Sequence, residues 1–159
     1  MTGDAGMGAS TATYDNDLYS WSLEQAALLR ARKFDQLDLE HIIEEIEDMS
    51  KSEKRALESF LETLLMHLLK WQYQSSHRGR SWELTILEQR RRLVDHLKEN
   101  PGLKGKLDES IEKAYYYARS GAEKETGLPA NIFPETCPWV FAEFMDTEFW
   151  PEPEASNNN

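Results

Sequence analysis

Residues 57–73 read LESFLETLLMHLLKWQY, and their spacing decides the fold. Leu57, Leu61, Leu64 and Leu68 recur at helical intervals, with Phe60 and Trp71 on one flank and Leu65 on the other. From Leu64 onward Met66, Leu69 and Tyr73 cover the opposite side. A helix that is apolar on most sides is buried on most sides, so this stretch predicts a central helix with others packed around it.

Upstream, Asp15 or Asp17 can cap a helix carrying Leu18, Trp21, Ala26, Leu28 and Leu29. Arg30, Arg32 and Lys33 complement its C-terminal dipole. After a short FDQL link, Asp38 is the next cap. Leu39, Ile42, Ile43, Ile46 and Met49 then form one apolar helix face. Ser50 stands three residues before Glu53, a capping box that predicts a kink or short break over residues 49–52.

Downstream, SSHRGRS reads as a turn. Ser81 is the expected cap of a helix presenting Trp82, Ile86, Leu93 and Leu97, and Asn100-Pro101-Gly102 ends it. Leu107, Ile111, Ala114, Ala118 and Ala122 mark another helix, whose small residues allow close backbone approach; Gly127 and Pro129 terminate it. Thr136 or Cys137, with Pro138 following, predicts a cap for a short last helix bearing Trp139, Val140, Phe141, Phe144 and Met145.

The expected fold class is all-α: a compact bundle of about six helices around a central apolar helix, without strands. Residues 14–151 form one expected domain, with disordered segments at 1–13 and 152–159. The 159 residues carry a net charge of -11, which disfavours general affinity for nucleic acid or anionic membranes. No apolar run approaches the length of a membrane span, so no membrane association is expected. The first residues lack the basic and apolar regions of a secretory signal, and a single cysteine, Cys137, rules out an intramolecular disulfide. The expected location is the cytoplasm.

Three constellations are candidate sites. From Asp35 to Glu58 nine acidic residues face three basic ones, and His41, Glu44, Glu45 and Asp48 share one helix side as a candidate acidic surface. The segment HIIEE lacks the second histidine of zinc-binding helices, so no metal is expected. From Lys70 to Arg92 six basic residues face two acidic ones among Trp71, Tyr73 and Trp82. Here Arg78, Arg80, Arg91 and Arg92 are a candidate basic surface that could contact nucleic acid. Third, Arg90 lies among Ile86, Leu93 and Leu97, where periodicity asks for an apolar residue. A buried guanidinium must meet an acceptor, with Glu83, Glu44, Glu45, Glu62 or helix-end carbonyls as candidates. Arg90, Glu83, Gln72 and Trp71 thus define a candidate polar pocket. No catalytic residues are assigned and no cofactor is expected: there is no phosphate loop, nucleophile elbow or zinc motif, and Cys137 lacks a sequence-adjacent base.

The runs YDNDLYSWSLEQAALLR, LDLEHIIEEIEDMSKSEKRALES, LLMHLLKWQYQ, RSWELTILEQR and FPETCPW, in this order, resemble the bacterial family catalogued as domain of unknown function 29. The resemblance spans residues 14–151. It implies a small helical protein of a kind common in cyanobacteria and proteobacteria, and brings no catalytic or binding residues with it. The expected function leans away from an enzyme and towards a protein-interaction or regulatory module, antitoxin-like in character, with a protein partner. The alternatives are a ligand or catalytic pocket near Arg90 and nucleic-acid binding through the segment 78–92. Sequence alone leaves the oligomeric state open.

Overall fold

The computed structural model describes residues 12–153; the segments 1–11 and 154–159, where most of the expected terminal disorder falls, lie outside it. Five α-helices and no strands occur among the described residues: α1 (Leu18–Arg30), α2 (Leu39–Tyr73), α3 (Arg80–Glu99), α4 (Leu107–Thr126) and α5 (Phe141–Phe144). The chain divides into two compact units, Met1–Ser50 and Lys51–Asn159.

In the second unit the 57–73 stretch is the core, as its spacing predicts. Leu57, Leu61, Leu64, Leu65, Leu68 and Leu69 are fully buried. Ile86, Leu93 and Leu97 from α3, Ala114, Tyr115, Ala118 and Ala122 from α4, and Phe133 and Phe144 join the same cluster. Polar pairs reveal the helix directions. Lys54 meets Glu109, Glu58 meets Lys113 and Lys70 meets Glu125, so α4 runs parallel to α2 at a constant offset. His96 bonds the Glu53 carbonyl and Lys70 lies over Trp82, so α3 runs antiparallel to α2. Small residues make the parallel contact close: a Cβ on Gly121 would stand 2.7 Å from the Met66 sulfur. Gly127, at φ 73°, ends α4 in the left-handed conformation that glycine adopts without strain.

In the first unit α1 and the N-terminal part of α2 are tied by a polar cluster. Asp17 caps α1 through the Ser20 amide. Trp21 Nε1 donates to the Asp38 carboxylate, which also holds His41 at 2.7 Å. The Asp38 amide donates to Gln25, and Tyr14 stacks on His41 while its hydroxyl donates to Glu45. Among this unit's described residues only Trp21 and Gln25 are buried.

Three local expectations are corrected. The break at 49–52 is absent, and α2 is continuous over 35 residues. With no Gly or Pro present, serine costs a helix interior only a few tenths of a kcal/mol, less than breaking the hydrogen-bond ladder. The α3 cap falls at Gly79 rather than Ser81. The last helix starts at Phe141 after Val140, so neither Thr136 nor Cys137 caps it.

Candidate binding cleft

After α4 the chain has little helix of its own, so its carbonyls need outside donors. Four side chains provide them. The Tyr115 hydroxyl donates to Pro134, and the Arg119 guanidinium to Phe133 and Ala130. Arg90 donates to Phe144 at 2.9 Å and to Phe149 at 2.6 Å; Arg78 donates to Trp71 and Pro151. Residues 130–151 are thus a strap clasped by its main-chain oxygens.

Between the strap and α4 lies a cleft of about 830 Å³. Ile111 and Tyr115 line it from α4; Cys137, Trp139, Val140 and Phe141 line it from the strap. Val140 is 70% exposed and Tyr116, also in the lining, 69%, so this part of the lining faces solvent. Asp108, Glu112, Glu123 and Glu135 also belong to the lining. Its two cations are already engaged: Lys113 with Glu58, and Arg119 with the strap carbonyls. The remaining Glu109 is neutralised by Lys54, whose hydrogen bond holds that carboxyl below its ordinary pKa. The result is an apolar cleft with a negative margin.

The groups here that could do chemistry are held back. Burial pushes the Cys137 thiol up, and its Sγ donates to the Trp139 carbonyl. Because the last helix starts at Phe141, no helix N-terminus acts on the thiol. Burial likewise raises the Tyr115 hydroxyl, already donating to Pro134. Burial thus favours the protonated forms of the two groups.

The residues singled out from the sequence sit elsewhere. Arg90 is 2% exposed and meets main-chain carbonyls of the strap. Trp150 brings it together with Trp71: the Arg90 cation lies 5.3 Å from the Trp150 ring, which packs on Trp71 at 4.7 Å. Glu83 pairs with Arg80 instead, and Gln72 is half-buried on α2. Among the four surface arginines, Arg78 clasps the strap and stacks on Trp71, Arg80 pairs with Glu83, and Arg92 pairs with Glu88. Arg91 is exposed. Of the acidic group, His41 is engaged by Asp38 and Glu45 by Tyr14, while Glu44 and Asp48 are exposed. Among the described residues no three His, Cys, Asp or Glu side chains converge on a metal-sized site. No helix there is long and apolar enough to cross a membrane.

Sequence reasoning missed the cleft and Arg119. The one available signal was a cation beside the Ala118–Ala122 stripe, on a helix otherwise read for its small residues. Lys70 was also read as part of a basic segment, yet it is 7% exposed and pairs with Glu125.

Fold and site define an all-α protein with an apolar cleft bordered by carboxylates. The chain belongs to the family described as Domain of unknown function DUF29, whose profile matches residues 13–150. Neither the curated proteins nor the solved structures include a match to this chain.

Proposed function

We propose that this protein is a cytoplasmic protein-interaction module whose α4 cleft receives a partner segment that is apolar on one side and basic on the other. The supporting observation is the cleft's composition. An apolar wall of Ile111, Trp139, Val140 and Phe141 is bordered by four carboxylates without ion pairs, while the lining cations are spent internally. An amphipathic helix laid in a groove uses such a wall for affinity and such a margin for orientation. The free, half-buried thiol suits a reducing compartment.

The test uses a synthetic amphipathic helix of leucine and lysine at helical spacing, titrated into the protein and followed by tryptophan fluorescence. Saturable binding is expected, weakening as salt is raised. Val140→Asp should weaken it about tenfold, or ~1.4 kcal/mol, and so should Glu112→Lys combined with Glu123→Lys. Binding indifferent to both changes would overturn the assignment.

A further inference from the structure

Residues 12–50 carry most of the exposed large hydrophobic side chains. Of the fifteen large hydrophobic side chains exposed among the described residues, nine lie here: Leu18, Tyr19, Leu23 and Leu29 on α1, Phe34 between the helices, and Leu39, Ile43, Ile46 and Met49 on α2. The other six are spread over the much longer second unit. α1 and residues 39–50 of α2, which together bury only Trp21 and Gln25, cannot close a core by themselves.

We infer that this face is the subunit contact of a homodimer, in which a second copy of the chain covers the apolar stripe of α2 and the adjoining side chains of α1. Three observations select a second copy. Leu39, Ile42, Ile46 and Met49 follow one another at intervals of three, four and three, the a/d spacing of a helix that packs against its own equivalent. The stripe is uncharged, and Glu40, Glu44 and Glu47 fall on the opposite side of α2, so two copies can meet there without opposing carboxylates. Finally, at ~200 Å² for a large side chain, the nine leave on the order of 1,000 Å² exposed. A face using most of them reaches the roughly 800 Å² per partner of a standard interface.

The experiment is light scattering on the full chain as it elutes from a sizing column at about 50 µM, where an interface of this size is occupied. The expected mass is twice 18.5 kDa. Ile43→Glu with Ile46→Glu should elute as a single chain while the cooperative unfolding of the second unit is unchanged. Met49→Glu, a milder change at an exposed site, should raise the dissociation constant about tenfold with helicity retained. The control, Leu84→Glu with Val94→Glu, alters exposed apolar residues of α3 and should remain dimeric. A wild-type chain of single or more than double mass would overturn the inference. So would a dimer that survives the Ile43 and Ile46 changes, or one that the control dissolves.

Discussion

Arg90 shows how far one residue can be understood from sequence. Its place among Ile86, Leu93 and Leu97 announces a buried cation that needs acceptors. Helix-end carbonyls are among the expected acceptors, and Phe144, the last residue of α5, supplies one; which segment supplies them was not legible, because the two oxygens lie 54 and 59 residues further on, where the chain has no periodicity. Arg90→Met should cost about 2–4 kcal/mol in urea unfolding, since it strands two carbonyls. Arg90→Lys should cost nearly as much, because an ammonium lacks the planar fork. A loss under ~0.5 kcal/mol for both would show that the clasp contributes little. His41 gives a second prediction. Its hydrogen bond to Asp38 raises the imidazole above its ordinary 6.5 and lowers the carboxyl below its ordinary 3.8. The histidine contribution is complete below pH 6.5 and fades as pH rises through the raised value. The aspartate contribution is complete above 3.8 and fades as pH falls through the lowered one. The pair therefore stabilises the first unit most between those ordinary values. A proton NMR titration of His41 should have its midpoint above 6.5, and Asp38→Asn should bring it down.

At the scale of elements, periodicity and capping residues revealed every long helix and most of their ends, including Asp17, Asn100 and Gly127, but misjudged the junction at 49–52 and the start of α3. The capping box Ser50–Glu53 is a local signal, and it lost to the continuity of α2. Mutation separates the two cases by sign. Were Ser50 a cap, Ser50→Ala would destabilise by ~1 kcal/mol. In an unbroken helix, Ser50→Ala and Ser52→Ala should each stabilise by a few tenths of a kcal/mol through alanine's higher helix propensity, readable as a raised Tm. The strap was the hardest segment to read. Proline-rich and held by distant side chains, it offers no repeating pattern from which a short helix can be placed, so the expected cap at Thr136 or Cys137 fell several residues early. The cleft depends on that strap and was invisible for the same reason.

For the whole molecule, composition and hydrophobic spacing were enough to predict an all-α fold, because six leucines of one helix lie at the centre of one cluster. They did not reveal the uneven distribution of burial between the two units, since Leu39, Ile43, Ile46 and Met49 have the same helical pattern whether covered or bare. Stability should follow burial. In native-state hydrogen exchange, backbone amides of α1 should exchange at least ~100-fold faster than those of residues 61–69 when the protein is dilute, and slow as concentration rises. Equal protection along both segments at all concentrations would contradict this division.

The clasps around the strap have a consequence for how such a protein can change over generations. Tyr115, Arg78, Arg90 and Arg119 hold oxygens of the main chain, which every amino acid carries. Trp139, Val140 and Phe141 line the cleft from that same strap, yet none supplies an oxygen to a clasp. Trp139 and Phe141 also pack on Phe149 and Phe144, whose oxygens Arg90 holds, whereas Val140 is exposed, so its replacement re-shapes the wall without touching a gripped residue. Anchorage thus lies in the main chain, and under the proposed binding role drift at Val140 would retarget the cleft while the clasps persist.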